Sequence, residues 1–413
     1  MICEVYPPMN AIDRLRCRTF QAIFRAALPF LPYRQPKLLG RMRDIAPVLR
    51  QKKIASVLLI VDEGLRELNL IAPLEKSLER AHISYAMHIQ RNPIPTIYDI
   101  EDAHKLYVKA GAKAIIAIGG GASIDCAKVA GARIARPTLS VAQMAGILRI
   151  RRKTPMLIAI PSAAGTGSEA TLDAVITSDE HRHPYTILDF SLIPEYTVFD
   201  AQLSLHQSPQ STANGAMDAL THAVEAYIGR STNKLTRTMA EEAVLLLSRN
   251  MRPAFENGSN LRVRQRMLRA SYCAGVTFTR SYVGYVHAIA HTLSVQYGIE
   301  HGMANAVVLP HMLRHYGLSC SGKLARLAYN SDLVSRNVDE NVAARRFIRW
   351  IEKTNKSFGF PAGFAQIREE DIAEMAQIAA KEANPLYPVP QLMDASELEV
   401  VYRKLMIKEE PEA

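Results

Sequence analysis

The sequence predicts an α/β domain built on a parallel sheet, followed by an all-α domain. Between about residues 54 and 160, short apolar segments alternate with helical patterns, as in a parallel sheet covered by helices on both faces. From Thr212 onward the segments are long, rich in Ala and Leu, and spaced for helices. The change falls near residues 200–209, and it predicts a boundary between two domains there.

Four apolar segments of the first domain are expected to form buried strands. They are Ile54–Val61, Ile83–Ile89, Ala114–Ile118 and Met156–Ile160. Helices are expected between strands, one built on Leu70, Leu74 and Leu78 and another at about residues 99–110. The expected organisation is an extension over residues 1–38, the α/β domain over 39–205 and the helical domain over 206–413.

Composition narrows the class of protein. The net charge of +10 comes largely from the first 53 residues, and no basic run is interleaved with aromatic residues, so a nucleic-acid partner is not expected. The 5 cysteines form no CxxC pair, which favours reduced thiols in a cytoplasmic protein. No segment reaches the roughly 18 uninterrupted apolar residues of a membrane span, and no cleavable signal peptide is convincing.

The basic extension contains a candidate amphipathic helix over residues 11–32. Its apolar side would be formed by Leu15, Phe20, Ile23, Phe24, Ala27 and Leu28. Such a helix, with several arginines on its flanks, can lie on an anionic membrane surface. The alternative is that it packs on the body of the protein or on a second subunit.

Metal-ligand residues recur at helical spacing in the second domain. Asp218 and His222 are four residues apart, as are His287 and His291, so each pair shares one face of a helix. His301 follows in a turn. One carboxylate and three imidazoles would hold a divalent metal, and mixed N and O ligands suit iron(II) or zinc. The spacing leaves open which of His287 and His291 binds the metal.

Two loops could bind the phosphates of a nucleotide. Gly119, Gly120 and Gly121 follow the third strand and open a helix that contains Asp125, so backbone N–H groups can approach a phosphate. After the fourth strand, a second loop offers the hydroxyls of Ser162, Thr166 and Ser168. Two such loops favour a dinucleotide. Asp62 ends the first strand, where its carboxylate would bind a ribose 2′-OH and repel a 2′-phosphate, so NAD is favoured over NADP. The alternative for Asp62 is an ordinary helix N-cap.

In this order the motifs resemble the iron-containing (group III) alcohol dehydrogenase family, from about Leu39 to Arg403. The matching blocks are Gly119–Asp125, Ala164–Glu169, Asp218–His222, His287–His291 and His301–Asn305. The resemblance implies that Asp218, His222, His287 and His301 bind the metal. It implies that His291 lies beside the nicotinamide and the substrate instead. It also implies the dehydroquinate-synthase-like fold with a Rossmann-like sheet, an active site between the two domains, and often a homodimer.

Some positions depart from the family pattern. Ala122 stands where a serine is usual, Ile94 where an asparagine is frequent, and Ser162-Ala163 where two threonines are usual. A lysine common near the cofactor falls at about Pro184. Each lost hydrogen bond would weaken cofactor binding by about 0.5–1.5 kcal/mol.

The hypothesis is therefore a metal-dependent, NAD-linked alcohol dehydrogenase that also reduces aldehydes and ketones. The metal would polarise the substrate oxygen, hydride would pass to the nicotinamide, and His291 would carry the hydroxyl proton. Alternatives on the same fold are a polyol dehydrogenase, a maleylacetate-type reductase, a hydroxyacid–oxoacid transhydrogenase or a dehydroquinate-synthase-type lyase. A last alternative is a membrane-surface protein whose cofactor site has decayed.

Overall fold

The structure is a computed structural model, which describes residues 9–177 and 185–407. These residues divide into two units. The sheet unit comprises residues 32–207 and 257–279, and the helical unit comprises the described parts of residues 1–31, 208–256 and 280–413. The break after residue 207 lies close to the boundary expected at 205. Two segments are grouped differently from the expectation, since residues 257–279 join the sheet unit and the N-terminal helix joins the helical unit.

The main sheet of the sheet unit has six parallel strands among the described residues, in the order β1-β9-β6-β4-β2-β3. They are β1 Lys37–Leu39, β2 Ser56–Asp62, β3 Ser84–Gln90, β4 Ala114–Gly119, β6 Met156–Pro161 and β9 Tyr196–Val198. A smaller sheet joins β5 (Gly146–Ile147), β7 (Asp173–Ile176) and β8 (Tyr185–Leu188) in the order β5-β8-β7. The predicted strands are confirmed to within two residues.

Helices cover both faces of the main sheet. They are α2 Ile45–Gln51, α3 Glu63–Glu67, α4 Ala72–Arg80, α5 Ile97–Lys109 and α6 Gly121–Ala135. Leu58 and Ile115 pack in one core with α5 and α6, whereas their neighbours Leu59 and Ile116 pack in a second core with α2 and α4. Because successive side chains of a strand point to opposite faces, only continuous apolar segments can fill both cores.

The strand order reverses beside β2. The chain passes from β2 to β3 on one side, and then crosses to β4 on the other side. The carboxyl ends of β2 and β4 thus flank the topological switch point of the sheet, which is where open parallel sheets bind ligands. Asp62 ends β2 and Gly119 ends β4.

The helical unit carries most of the remaining helices, and three of them position the predicted metal-ligand residues. The helices after the sheet are α7 Pro209–Ile228, α8 Lys234–Glu256, α9 Leu261–Ser281, α10 Tyr285–Tyr297, α11 His301–Tyr316, α12 Ser321–Asn330, α13 Glu340–Ser357, α14 Glu369–Ala383 and α15 Ala395–Leu405. Most of α9 belongs to the sheet unit. Ser208 is the N-cap of α7, and its hydroxyl accepts a hydrogen bond from the backbone N–H of Ser211. Pro209 is the first residue of the helix.

The N-terminal helix α1 spans Ala11–Ala27, so a helix is confirmed within the predicted 11–32 segment. The predicted apolar side packs only in part. Leu15, Phe20 and Ile23 are 68%, 43% and 67% exposed, whereas Phe24 packs against Tyr282 and Leu28 is buried. The buried residues of α1 are Cys17 and Gln21. Among the described residues, no helix combines the length and the apolar character that a bilayer crossing requires.

Candidate metal centre and cofactor loops

The four predicted metal-ligand residues converge within the helical unit. Asp218 and His222 lie on α7, His287 lies on α10, and His301 is the first residue of α11. Oδ1 of Asp218 is 3.7 Å from Nδ1 of His222, 3.7 Å from Nε2 of His287 and 3.5 Å from Nε2 of His301. The possible ligand atoms of Asp218, His222 and His287 all lie within 4.8 Å of one another.

These separations fit one bound cation. Two ligand atoms at about 2.1 Å from the same ion, at a tetrahedral angle, lie about 3.4 Å apart. The distances of 3.5–3.7 Å measured from Asp218 are close to that value. A carboxylate with three imidazoles is also a donor set that iron(II) and zinc accept. The residues therefore fit a divalent transition metal.

The electrostatics of the cluster favour cation binding. Burial alone would raise the pKa of Asp218, but His222, His287 and His301 together hold it well below its ordinary value. Burial lowers the pKa of His222 to about 3, so this imidazole is neutral, the form that binds metals. Burial opposes protonation of His287 as well, yet hydrogen bonds to Asp218 and Glu225 raise its pKa to about 9. A metal must therefore displace a proton from His287.

The predicted glycine loop lies at the switch point of the sheet. Gly119 has φ +154°, and a Cβ on it would lie 2.4 Å from Oγ of Ser123 and 2.9 Å from Cβ of Asp62. Only glycine lets β4 end this close to both neighbours. Gly120 is the N-cap of α6, and Gly121 is its first residue. A Cβ on Gly120 would meet no atom within 4 Å, so the space beside the start of α6 is open, as a phosphate cradle requires.

The second loop lies directly beside the first. The backbone N–H of Ser162 donates a 2.9 Å hydrogen bond to the carbonyl oxygen of Gly119. A Cβ on Gly121 would lie 3.4 Å from Oγ1 of Thr166, whose side chain is exposed. The structure thus brings Gly119, Gly121, Ser162 and Thr166 together.

Asp125 and Ser168 are instead part of a buried polar network. Oγ of Ser168 donates a 2.6 Å hydrogen bond to Asp125, and Nζ of Lys128 donates to Ser168, to Thr171 and to the carbonyl oxygen of Asp173. Burial raises the pKa of Asp125 to about 6, although the charge of Lys128 opposes this. The network ties α6 to the segment after the second loop. Contact of Asp125 and Ser168 with a cofactor stays a prediction.

Comparison with known proteins identifies the family. The family described as iron-containing alcohol dehydrogenase matches residues 39–201, and the C-terminal part of the same family matches residues 212–406. A 1,3-propanediol dehydrogenase from Klebsiella pneumoniae is 31% identical over 390 residues, which cover 92% of this chain and 98% of the relative. The chain belongs to the iron-containing alcohol dehydrogenase family. The predicted family, the fold class and the enzyme class, an oxidoreductase, are thereby confirmed.

Two further iron-containing alcohol dehydrogenase relatives are informative. The NAD-dependent methanol dehydrogenase of Bacillus methanolicus is 30% identical over 345 residues, 82% of this chain and 90% of the relative. The crystal structure of a 1,3-propanediol oxidoreductase superposes with a TM-score of 0.84 at 30% identity, over 91% of this chain and 99% of that chain. The metal cluster and the glycine loop thus lie in the part that the chain shares with the family.

In this iron-containing alcohol dehydrogenase, Glu225 holds the predicted metal ligand His287 in place, a role that the sequence reasoning missed. Oε2 of Glu225 is 2.6 Å from Nδ1 of His287, and Oε1 accepts a 2.8 Å hydrogen bond from the backbone N–H of Val286. The carboxylate thereby fixes the imidazole so that Nε2 faces Asp218. A signal was present, because Glu225 follows His222 by three residues and Asp218 by seven, on one face of α7.

Asn305 and Gly302 complete the cluster. Nδ2 of Asn305 donates a 2.9 Å hydrogen bond to Oδ1 of Asp218 and lies 3.0 Å from Nε2 of His301. A Cβ on Gly302 would lie 2.4 Å from the carbonyl oxygen of Asn214, so only glycine lets α11 approach α7 this closely. That approach brings His301 to Asp218. Both residues stand in the family block from His301, but no role was assigned to them from the sequence.

His291 lies beside the cluster. Its ring stacks on that of His301 with 5.2 Å between centroids, and its Nδ1 is 2.8 Å from Oε1 of Glu382. The hydroxyl of Tyr387 donates to the same carboxylate oxygen. The side chain of His291 is 44% exposed, whereas that of His287 is 3% exposed. The geometry therefore places His287 rather than His291 within the cluster that Asp218 organises.

The contacts of Asp62 and Ile94 do not by themselves indicate a cofactor. Oδ1 of Asp62 accepts hydrogen bonds from the backbone N–H groups of Gly64 and Leu65, so the structure gives Asp62 the N-cap role of α3. Its contact with a ribose stays a prediction. Ile94 is half-buried, and the neighbouring Asn92 donates to Asp99. Pro184 lies outside the described residues.

Proposed function

We propose that this chain is a metal-dependent, NAD-linked alcohol dehydrogenase that interconverts small alcohols with aldehydes or ketones. The observation that carries the proposal is the convergence of three imidazoles on Oδ1 of Asp218, at 3.5–3.7 Å. The names of the relatives support the substrate class, because they include dehydrogenases of 1,3-propanediol and methanol, and a lactaldehyde reductase.

Asp218, His222, His287 and His301 would hold iron(II), or zinc with the same ligands. Such an ion, when bound, acts as a Lewis acid that polarises the substrate hydroxyl and stabilises negative charge on its oxygen. Glu225 holds the ring of His287, and Asn305 donates a hydrogen bond to Asp218. These contacts keep the donor atoms close together before a metal arrives.

His291 is the residue proposed to move the hydroxyl proton. Its Nδ1 is bonded to Oε1 of Glu382, and the hydroxyl of Tyr387 donates to the same oxygen. This bond fixes the ring and leaves Nε2 as the atom that accepts the proton. Since the His291 side chain is 44% exposed, the proton can pass on to solvent.

NAD is the proposed electron acceptor, with NADP less favoured. Its nicotinamide, when bound, accepts the hydride from the carbinol carbon. The first residues of α6 and the hydroxyl of Thr166 would contact its phosphates, and Ser162 would lie beside them. Asp62 would accept a hydrogen bond from the adenosine ribose, a role compatible with capping because a carboxylate has a second oxygen. The name of the methanol dehydrogenase relative, NAD-dependent, supports this choice.

A cytoplasmic homodimer is the proposed form of the enzyme. The four described cysteines are buried and unpaired, as is usual in a reducing compartment. The family resemblance supports a dimer. The related same-fold enzymes differ from this proposal in substrate, and the lyase differs in producing no net NADH.

The test is metal analysis of the purified protein together with an NAD-linked activity screen over methanol, 1,3-propanediol, 1,2-propanediol and longer alcohols. His287→Ala is expected to lose metal and NADH formation together. The control is His206→Ala, an exposed histidine outside the cluster, which should keep both. Full metal content and activity in His287→Ala would refute the ligand assignment, and a wild-type protein that binds no NAD would favour the decayed-site alternative.

A further inference from the structure

The outward face of α1 is apolar and has no packing partner within the described chain. Ile12, Leu15 and Ile23 are 74%, 68% and 67% exposed. At about 100° per residue these three side chains fall on one side of the helix. Phe30, shortly after the helix, is 87% exposed. Isolated exposed apolar residues are ordinary, but a whole helix face is not.

The opposite side of α1 attaches the helix to the helical unit, through polar bonds and through Phe24, whose ring packs edge-on against that of Tyr282 at 5.1 Å between centroids. Arg14 donates to the carbonyl oxygen of Leu392 at 2.9 Å, and Arg18 donates to that of Val389 at 2.8 Å. The amide of the buried Gln21 donates to the carbonyl oxygen of Tyr387 at 2.8 Å. These bonds fix the rotation of α1, so its apolar face is held toward solvent.

Positive charge lies beside this face. Arg16 is exposed at about 40° from Ile12 around the helix axis, and the exposed Arg25 lies on the side of Arg14 and Arg18, near the C-terminal end of α1. Near Arg25 stand the exposed Arg230 and Arg237, and Lys323. Burial, and then the charges of Arg237, Arg25 and Arg230, lower the pKa of Lys323 to about 8. Among the described residues, the acids on this part of the surface include Asp13, in the first turn of α1, and Glu241, which accepts a hydrogen bond from Tyr227.

This surface lies outside the part of the chain that matches the family. The family match begins at residue 39, after α1 has ended. The superposition with the 1,3-propanediol oxidoreductase covers 99% of that chain but 91% of this one. The catalytic fold is therefore complete without α1.

We propose that α1 docks this protein reversibly onto an anionic lipid surface. Ile12, Leu15, Ile23 and Phe30 would enter the boundary between headgroups and acyl chains, and the arginines would contact lipid phosphates. Charge complementarity favours this partner over a second copy of the chain. Pairing α1 with its own copy would bring Arg16, Arg25, Arg230 and Arg237 against the same cations, which is unfavourable.

Flotation of the full-length holoenzyme with vesicles tests the proposal. Wild-type protein is expected to float with vesicles of phosphatidylcholine and phosphatidylglycerol, and not with phosphatidylcholine alone. Leu15→Glu with Ile23→Glu should reduce the bound fraction at least tenfold, because the face that would enter the lipid surface becomes acidic. Arg16→Glu with Arg25→Glu should weaken binding at least about fivefold per arginine.

The matched control is Ile378→Glu, which replaces a 50% exposed isoleucine on α14 and should float as the wild type does. Melting temperature and turnover of a soluble alcohol should be unchanged in every variant, since none touches the metal cluster. The proposal is overturned if the wild-type protein does not float with anionic vesicles. It is also overturned by a Leu15→Glu, Ile23→Glu variant that floats normally but sediments as a monomer where the wild type is a dimer, because the face would then bind a second copy.

Discussion

At the scale of single residues, the site depends on side chains that hold other side chains. Asp218 lies at the centre of three imidazoles, and Glu225 and Asn305 fix the orientation of those ligands. Glu382 does the same for His291. Helical spacing was enough to pair Asp218 with His222. It could not pair His291 with Glu382, because 91 residues separate them and only the folded helices bring them together.

Replacing Glu225 by glutamine should weaken metal retention without unfolding the protein. The amide keeps the size of the side chain but removes the charge that faces Nδ1 of His287. We expect metal affinity to fall about 10- to 100-fold, as for other residues that orient a ligand. Competition with a chelator measures this. Glu241→Gln on α8 is the control, and equal retention in both variants would contradict the assigned role.

Glu169 should make the stability of the protein depend on pH. Burial raises its pKa to about 7 from an ordinary 4.5. Between these values the folded protein binds a proton that the unfolded chain releases, so this residue lowers stability as pH rises. Because glutamine does not titrate, Glu169→Gln should avoid this loss of stability, which is on the order of 1–3 kcal/mol.

The melting temperature of Glu169→Gln, relative to the wild type, should therefore be higher at about pH 8 than at about pH 5, by a few degrees. Glu67→Gln, at an exposed position, should show no such difference. The prediction fails if the relative melting temperature of Glu169→Gln is the same at both pH values.

At the scale of elements, the strands were the most predictable part of the fold. Each predicted strand is a continuous apolar segment, and burial on both faces of a parallel sheet requires that pattern. The packing side of α1 was not predictable in this way. Apolar periodicity locates a face but not what covers it, and the hydrogen bonds that attach α1 come from Arg14, Arg18 and Gln21. The grouping of residues 257–279 with the sheet unit had no local signal either.

The two glycines that connect β4 to α6 should respond differently to alanine. Gly119→Ala places a Cβ 2.4 Å from Oγ of Ser123 at φ +154°, so we expect a loss of about 1–3 kcal/mol in unfolding free energy. Gly120→Ala meets no atom within 4 Å and should leave stability nearly unchanged.

Thermal melting of both variants separates the two effects. Binding of NAD, measured on the Gly120→Ala variant, then tests the phosphate cradle itself, because the added methyl group would occupy space that a phosphate needs. Unchanged NAD affinity in Gly120→Ala would count against this loop as the cofactor site.

At the scale of the whole molecule, the proposed metal ligands come from three separate helices. Asp218 and His222 lie on α7, His287 on α10 and His301 on α11. A bound ion would cross-link these helices. The metal should in turn stabilise the folded protein, because the unfolded chain has no assembled site to bind it.

Removing the metal should therefore lower the melting temperature, and adding iron(II) or zinc should restore it. At a free metal concentration about 1,000 times the dissociation constant, the stabilisation is about 4 kcal/mol. Differential scanning calorimetry with and without a chelator measures the change. His287→Ala should no longer respond to added metal, and an equal response in that variant would show that the stabilising site lies elsewhere.

The attachment of α1 has a consequence for how this protein can vary. Arg14, Arg18 and Gln21 donate hydrogen bonds to the main-chain oxygens of Leu392, Val389 and Tyr387, respectively. A peptide carbonyl is present whatever side chain its residue bears, so replacements in that loop leave the acceptors in place. The outer surface of α1 can thus drift toward new partners over evolutionary time while the helix itself stays anchored.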